Sequence, residues 1–344
     1  MQKKLYQLIE AFVQGNRLAL SRLISYLEAH PEEKSDIFAT IQAYKKKSKN
    51  LSDSGSIKAS FLENHAQVLG ITGPPGAGKS TLVNALIHEI RKKGESVGVV
   101  AVDPSSPISG GALLGDRIRM QEHTQDSKVF VRSLGSRGHH GGLSLHAEAV
   151  AKLMESFGFD WVILETVGVG QSECEIVSLA ETTLVVLTPE SGDTVQSLKA
   201  GLMEMADIFV INKADRPEAP KRVAQIRTML DLGQKLSWSP PITLTQAHQG
   251  EGIAELLRLI QKHQKFLQQN KKKIDSDARF KKSREQYFKE LLKEYFYLWF
   301  EKHTPLRQLF AKQLEKIERE ELSPDIAVEE ILQKILTKNI DLVE

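Results

Sequence analysis

The amino-acid sequence predicts an α/β fold: a doubly wound, mostly parallel sheet with helical N- and C-terminal extensions. The first observation is an alternation, between residues 65 and 262, of short β-rich runs with stretches of helical periodicity. Such alternation is typical of a parallel sheet with helices on both faces. The second is a glycine-rich loop, Gly73–Ser80, that joins the first β-rich run to a helical stretch. With 344 residues, the chain can form one sizeable domain and smaller appendages.

The predicted elements divide into three segments. Residues 1–60 are expected to form an N-terminal helical extension, because leucine and isoleucine recur at helical spacing. Residues 61–262 contain the sheet, and residues 263–344 form a C-terminal helical arm with an aromatic stripe. In this arm, Ser323 and Pro324 predict the N-cap and first turn of the last helix. Strands are predicted at residues 67–72, 96–102, 128–133, 160–165, 183–187, 208–212 and 242–245.

Composition and charge are those expected of a soluble, cytoplasmic protein. Hydrophobic residues make up 41% and charged residues 26% of the chain. No apolar stretch approaches the roughly 20 residues that a membrane helix needs. The formal net charge of +2 favours neither nucleic acid nor a membrane as a partner. Cys174 is the only cysteine, which excludes an intramolecular disulfide and a cysteine-rich metal site.

The glycine-rich loop has the pattern G-x-x-x-x-G-K-[ST], which indicates phosphate binding. We call Gly73–Ser80 the phosphate loop. Its glycines let successive backbone N–H groups turn towards phosphate oxygens at the N-terminus of the following helix. Lys79 is expected to contact the β- and γ-phosphates, and the Ser80 hydroxyl to bind magnesium. The predicted nucleotide contacts here are Gly73, Pro74, Pro75, Gly76, Ala77, Gly78, Lys79, Ser80 and Thr81.

A second nucleotide signal, N-K-x-D, follows the predicted strand 208–212. It comprises Asn212, Lys213 and Asp215, and we call Asn212–Asp215 the guanine loop. A carboxylate at Asp215 can accept hydrogen bonds from the ring N–H and the exocyclic amine of guanine, a pair of donors that adenine lacks. A site built for such partners rejects a ligand without them by roughly 10⁴-fold or more. The pattern therefore predicts GTP and GDP as ligands, with a further backbone contact from Gln246 and Ala247.

The third signal is an acidic residue, Glu165, that ends an apolar run three positions before Gly168. It resembles the D-x-x-G motif of GTPases, with glutamate in place of aspartate. In that arrangement Glu165 holds magnesium through water, and Gly168 donates its N–H to the γ-phosphate. No glutamine directly follows Gly168, although Gln171 lies nearby. Slow intrinsic hydrolysis, or hydrolysis that depends on a partner, is therefore expected.

Together these residues resemble the P-loop GTPase family whose third motif carries glutamate, and within it the methylmalonyl-CoA mutase-associated, MeaB/ArgK-type branch. The resemblance covers nearly the whole chain. It implies a P-loop NTPase fold and a GTPase chaperone that gates cofactor loading of an adenosylcobalamin-dependent acyl-CoA mutase and protects or reactivates the mutase. It also implies homodimers formed through the C-terminal arm. Further segments that carry the resemblance are residues 102–106, 110–120, 136–142, 191–199 and 321–324. The resemblance implies that residues 191–199 form a mobile switch segment.

The resemblance also implies roles for individual acidic residues. Asp103, Asp116 and Glu165 are expected around a magnesium ion together with Ser80, because carboxylate and hydroxyl oxygens suit this hard cation. The implied catalytic set is Lys79, Asp116 and Glu165.

Two alternatives share the same nucleotide-binding core. A metallochaperone GTPase of the same family would need metal ligands; His139 and His140 are the candidates, without cysteines beside them. A P-loop kinase or transport ATPase would use ATP, which Asp215 argues against.

Overall fold

The computed structural model of the protein describes residues in two compact units, Met1–Tyr287 and Phe288–Glu344. We refer to them as unit 1 and unit 2. The described residues are 2–50, 66–103, 123, 125–135, 142–166, 179–190, 206–232, 237–270, 285, 288, 289, 291–293, 295–297, 299–301 and 303–337.

A seven-stranded parallel sheet is the framework of unit 1. Its strands are β1 Gln67–Thr72, β2 Val97–Asp103, β3 Val129–Gly135, β4 Trp161–Thr166, β5 Thr182–Leu187, β6 Ile208–Asn212 and β7 Ile242–Thr245. They are arranged in the order β3-β2-β4-β1-β5-β6-β7, and every neighbouring pair is parallel. Because β1 is central, the sheet grows outward in both directions, which confirms the predicted doubly wound fold.

Every predicted strand is present, with small differences at the ends. The third strand extends to Gly135 rather than to residue 133, because its backbone pairs with β2 as far as Asp103. The fifth begins one residue earlier, at Thr182, which pairs with Leu69 of β1. Strand ends are thus determined by the neighbouring strand, which the periodicity of one segment does not reveal.

Helices are described in both units and cover both faces of the sheet in unit 1. They are α1 Gln2–Val13, α2 Arg17–Ala29, α3 Lys34–Asn50, α4 Lys79–Lys92, α5 Gly142–Phe157, α6 Ala219–Leu232, α7 Ile253–Gln269, α8 Thr304–Glu318 and α9 Pro324–Thr337. No helix among these described residues is long and apolar enough to cross a membrane.

The two faces of the sheet are formed by alternating residues of each strand. In β5, Leu184 and Val186 face the core beneath α4 and α7, whereas Val185 and Leu187 face the smaller core beneath α6. In β1, Leu69 faces the core beneath α4 and α7, whereas Val68 faces the opposite side of the sheet and packs in the core that contains α5. Strands buried on both faces explain why the sequence runs are apolar throughout rather than alternating.

The N-terminal helical extension packs on the sheet domain. Residues of α1 to α3 share one core with α5, and the Asn16 side chain caps α2 by accepting hydrogen bonds from the backbone N–H groups of Leu18 and Ala19. Lys34 of α3 forms an ion pair with Glu148 of α5, and both side chains are largely buried. The predicted helical extension is therefore confirmed and belongs to the packed core of unit 1.

The described residues of unit 2 are almost entirely helical. The last helix begins at Pro324, and the Ser323 hydroxyl accepts a hydrogen bond from the Ile326 N–H at 3.4 Å, as expected of an N-cap. Many large apolar side chains of this unit are exposed: Phe288, Leu292, Tyr295, Phe296, Tyr297, Phe310, Leu314, Ile326, Val328, Leu332 and Leu336.

Candidate nucleotide-binding site

The phosphate loop connects the end of β1 to the start of α4. Gly73, Gly76 and Gly78 all have positive φ, at 143°, 76° and 85°. At Gly73 a side chain is also excluded sterically, since a Cβ atom would lie 2.0 Å from the carbonyl oxygen of Val186 in β5. The loop therefore needs glycine for its conformation and for its close approach to the neighbouring strand.

Lys79, the first residue of α4, is directed back over the phosphate loop. Its Nζ donates hydrogen bonds to the carbonyl oxygens of Gly73 at 2.6 Å and Pro74 at 3.1 Å, and its side chain is almost fully buried. The Lys79 ammonium group therefore lies beside the N-terminus of α4, and both can bind phosphate oxygens.

Ser80 and Glu165 form the second part of the site. The Ser80 hydroxyl donates to Glu165 Oε1 at 2.6 Å, and both residues are buried. The sheet brings them together, because Glu165 near the end of β4 pairs with Ile71 near the end of β1. A hydroxyl and a carboxylate oxygen in contact are the kind of donors that magnesium prefers, so these residues fit that ion.

Other predicted magnesium ligands are placed only in part. Asp103 ends β2, which is the neighbour of β4, so its backbone lies at the same edge of the sheet as Glu165. Nothing is described of its side chain. Asp116 and Gly168 lie outside the described residues, as do residues 191–199 and the His139-His140 pair. Within the described part of the chain, no cluster of three or more His, Cys, Asp or Glu could hold a metal ion.

Asn212 connects three segments of the site through its buried side chain. Its Nδ2 donates to the carbonyl oxygen of Ala77 in the phosphate loop at 2.9 Å. Its Oδ1 accepts from the Thr245 hydroxyl at 3.2 Å and from the Ala247 N–H at 3.1 Å. A Cβ at Gly78 would lie 2.4 Å from Asn212 Nδ2, so a side chain there would displace the amide that bridges to the phosphate loop.

The rest of the guanine loop is held by one side-chain hydrogen bond, from Lys213, and one backbone hydrogen bond, from Ala214. Lys213 adopts φ 58°, a left-handed conformation that is uncommon outside glycine, and its Nζ donates to the Gly76 carbonyl at 2.9 Å. The Ala214 N–H donates to the Thr245 carbonyl at 3.1 Å. Asp215 is exposed at the end of this loop, where its carboxylate is accessible to a base.

The segment after β7 departs from the simplest expectation for base contacts. The N–H of Gln246 donates to the Glu251 carbonyl at 3.1 Å, while the N–H of Ala247 donates to Asn212. The Gln246 amide also donates to the Glu251 carboxylate. In this structure the two backbone donors that were expected to contact the base thus serve protein acceptors, and their role towards a nucleotide remains a prediction.

Sequence reasoning missed Thr245. This residue ends β7, and parallel pairing places it opposite Asn212 at the end of β6. It is 1% exposed, so its hydroxyl has no access to water and is satisfied by Asn212. The signal that could have identified it is its position: a polar residue at the end of a strand, beside another strand that ends in the guanine loop.

Comparison with known proteins identifies the family. Residues 40–298 match the family model described as methylmalonyl-CoA mutase-associated GTPase MeaB. The chain belongs to this family. The prediction of a P-loop GTPase of this type is confirmed.

Individual relatives agree with this assignment. The chain is 40% identical over 340 residues to a Pyrococcus abyssi protein that is named as a GTPase, a match that covers 97% of this chain and 92% of the relative. It is 38% identical over 193 residues to the mouse protein named methylmalonic aciduria type A homolog, mitochondrial, covering 55% of this chain and 46% of the relative. The crystal structure titled LAO/AO transport system kinase matches 98% of this chain and 99% of its own, with 25% identity and a TM-score of 0.62.

Proposed function

We propose that this GTPase binds GTP with magnesium and acts as a chaperone of an adenosylcobalamin-dependent acyl-CoA mutase of the methylmalonyl-CoA mutase type. The match to a mutase-associated GTPase family over residues 40–298 carries the proposal. The site supports it, because the phosphate loop and the guanine loop lie at one edge of the sheet and are joined through Asn212. In this proposal, GTP binding and hydrolysis gate cofactor loading and protect or reactivate the mutase.

The phosphate end of the site binds and orients the nucleotide. Backbone N–H groups of the phosphate loop and the N-terminus of α4 contact the phosphates, and Lys79 stabilises negative charge on the β- and γ-phosphates. Ser80 and Glu165 hold magnesium, together with Asp103 and Asp116. The ion supplies charge neutralisation of the phosphate oxygens during hydrolysis.

The guanine end of the site provides selectivity. Asp215 accepts hydrogen bonds from the two guanine donors, while Asn212 maintains the loop against the phosphate loop. The Lys213 side chain runs from the guanine loop to the Gly76 carbonyl, and its aliphatic part covers one face of the base. A backbone contact from Gln246 or Ala247 to the base requires the N–H of that residue to leave the protein acceptor that it has in this structure.

Hydrolysis is expected to be slow without a partner. Gly168 is followed by valine, so the glutamine that orients the attacking water in many GTPases is not at that position. A protein that hydrolyses GTP slowly stays long in the GTP-bound state, which suits a chaperone whose binding to the mutase depends on the bound nucleotide.

Unit 2 is proposed to form a homodimer contact. Its exposed apolar side chains include Phe288, Tyr295 and Leu332, and surfaces of this kind are usually covered by a protein partner. A second copy of the chain carries the same surface and can form a two-fold symmetric contact with it. Analytical ultracentrifugation tests this, because a monomer at micromolar concentration would contradict it.

The experiment that tests the mutase proposal is a binding measurement with purified proteins. Adenosylcobalamin-dependent methylmalonyl-CoA mutase is titrated with this protein in the presence of GDP, GTP or a non-hydrolysable GTP analogue. We expect binding whose affinity differs between the nucleotide states, and Lys79→Ala is expected to lose that difference. If no complex forms in any state, the mutase is not the partner, whereas the GTPase assignment is unaffected.

A kinase function is the second candidate, because the structure titled LAO/AO transport system kinase matches nearly the whole chain. It predicts transfer of the γ-phosphoryl group to an acceptor protein rather than to water. Incubation with radiolabelled GTP or ATP and candidate acceptors distinguishes the two, since a GTPase releases the label only as inorganic phosphate.

A further inference from the structure

The end of β5 lies between the two nucleotide-binding loops. This strand pairs with β1, which leads into the phosphate loop, and with β6, which leads into the guanine loop. On the β1 side, the Val186 carbonyl is so close to Gly73 that no Cβ atom fits between them. The residues that follow β5, Thr188–Glu190, are therefore next to both parts of the site.

Arg222 makes an unusual contact with this segment from the first turn of α6. Its side chain is 2% exposed and lies on the same face of the helix as Ala219 and Ile226, which are buried in the core beneath α6. Its Nη2 donates to the Pro189 carbonyl at 3.2 Å, and its buried Nε has no hydrogen-bond partner among the residues that the structure describes. Burial lowers the pKa of Arg222.

A guanidinium group at such a position is unfavourable for packing alone. An apolar residue would fill the same space without the desolvation penalty of a buried charge. The geometry gives the charge one clear use among the described residues, which is to hold the Pro189 carbonyl. Because α6 begins soon after the guanine loop, this hydrogen bond joins the end of β5 to the element that directly follows Asp215.

A second contact joins the same two segments at the surface. Arg216, the residue after Asp215, forms an ion pair with Glu190. The hydrogen bond from Arg216 is the main reason that the pKa of Glu190 is lowered. Both side chains are 42% exposed, so this pair is screened by water and contributes little by itself. Arg222 is thus the main connection and Arg216 the auxiliary one.

We propose that Arg222, assisted by Arg216, is a positioning residue through which guanine binding orders Thr188–Glu190. The proposal rests on the proposed function, because it requires a guanine nucleotide at Asp215. A base held by the guanine loop restricts the start of α6, and Arg222 transmits that restriction to the Pro189 carbonyl. By linkage, any contact that holds Thr188–Glu190 raises guanine-nucleotide affinity by the same factor.

Amide hydrogen exchange measured by mass spectrometry, with and without GDP, tests this coupling. In the wild type we expect GDP to slow exchange at the Thr188 and Glu190 amides by about fivefold or more. In Arg222→Met this slowing is lost, while GDP still binds and still slows exchange in the phosphate loop. Arg222→Lys retains part of the effect. Arg227→Met, an exposed arginine of the same helix, serves as the matched control and should behave as the wild type.

Four results would contradict the proposal or the proposed function on which it rests. Unchanged GDP-dependent slowing at Thr188 and Glu190 in Arg222→Met overturns it, as does a wild type that shows slowing only in the phosphate loop. If Arg222→Met does not fold, Arg222→Lys must reduce the slowing without abolishing it, and an undiminished effect there counts against the proposal. A wild type without GDP-dependent slowing anywhere contradicts the proposed function itself.

Discussion

Removal of the Asn212 side chain is expected to weaken both folding and nucleotide binding. This side chain is 3% exposed and makes hydrogen bonds of 2.9, 3.2 and 3.1 Å with the Ala77 carbonyl, the Thr245 hydroxyl and the Ala247 N–H. The net contribution of one hydrogen bond to stability is about 1 kcal/mol, so the loss of three in Asn212→Ala should lower the free energy of unfolding by about 3 kcal/mol. Because the Asn212 side chain also aligns the guanine loop with the phosphate loop, the affinity for GDP should fall by about tenfold or more.

Unfolding in guanidinium chloride, followed by circular dichroism, measures the change in the free energy of unfolding. Titration calorimetry with GDP measures the change in affinity. Thr245→Val removes one of the three hydrogen bonds and should cost about 1 kcal/mol. Thr245→Ser keeps the hydroxyl and is the matched control. The reasoning is refuted if the free energy of unfolding of Asn212→Ala lies within about 0.5 kcal/mol of the wild-type value and GDP binds with unchanged affinity.

Further substitutions test the other parts of the site. Lys79→Ala should abolish tight GTP binding in calorimetry without changing the circular dichroism spectrum, and retained affinity would show that this loop does not hold the phosphates. Asp215→Asn should shift the nucleotide preference from GTP towards xanthosine triphosphate by about 10²-fold or more, because an amide N–H can donate to the xanthine carbonyl. Competition binding measures this preference, and an unchanged preference would show that Asp215 does not recognise the base. Gly73→Ala should prevent folding of the loop, because its Cβ would meet the Val186 carbonyl, whereas Gly76→Ala, with nothing within 4 Å, should cost only about 1–2 kcal/mol of backbone strain. Thermal melts compare these two variants, and equal losses would contradict the steric argument.

Much of the fold was predictable because local patterns coincide with the final arrangement. The apolar runs are buried on both faces of the sheet, so a continuous hydrophobic segment was a reliable sign of a strand. The phosphate loop and the guanine loop were recognisable from short patterns, because backbone conformation and base chemistry allow few residue types there. Gly73 illustrates this, since the backbone carbonyl of Val186 excludes a side chain there.

Contacts between segments distant in sequence were not predictable. Thr245 meets Asn212 only because β6 and β7 pair in one particular register, and no single segment specifies that register. Arg222 is a similar case, because helical periodicity would favour an apolar residue between Ala219 and Ile226. Its contact with the Pro189 carbonyl appears only when α6 is placed beside the end of β5.

The central claim is that the phosphate loop and the guanine loop form one site that selects guanine nucleotides. Titration calorimetry of the wild-type protein with GDP and with ADP, in the presence of magnesium, tests it most directly. We expect GDP to bind more tightly than ADP by roughly 10⁴-fold or more, because adenine leaves Asp215 without its two hydrogen-bond donors. Equal affinities for GDP and ADP would contradict the claim.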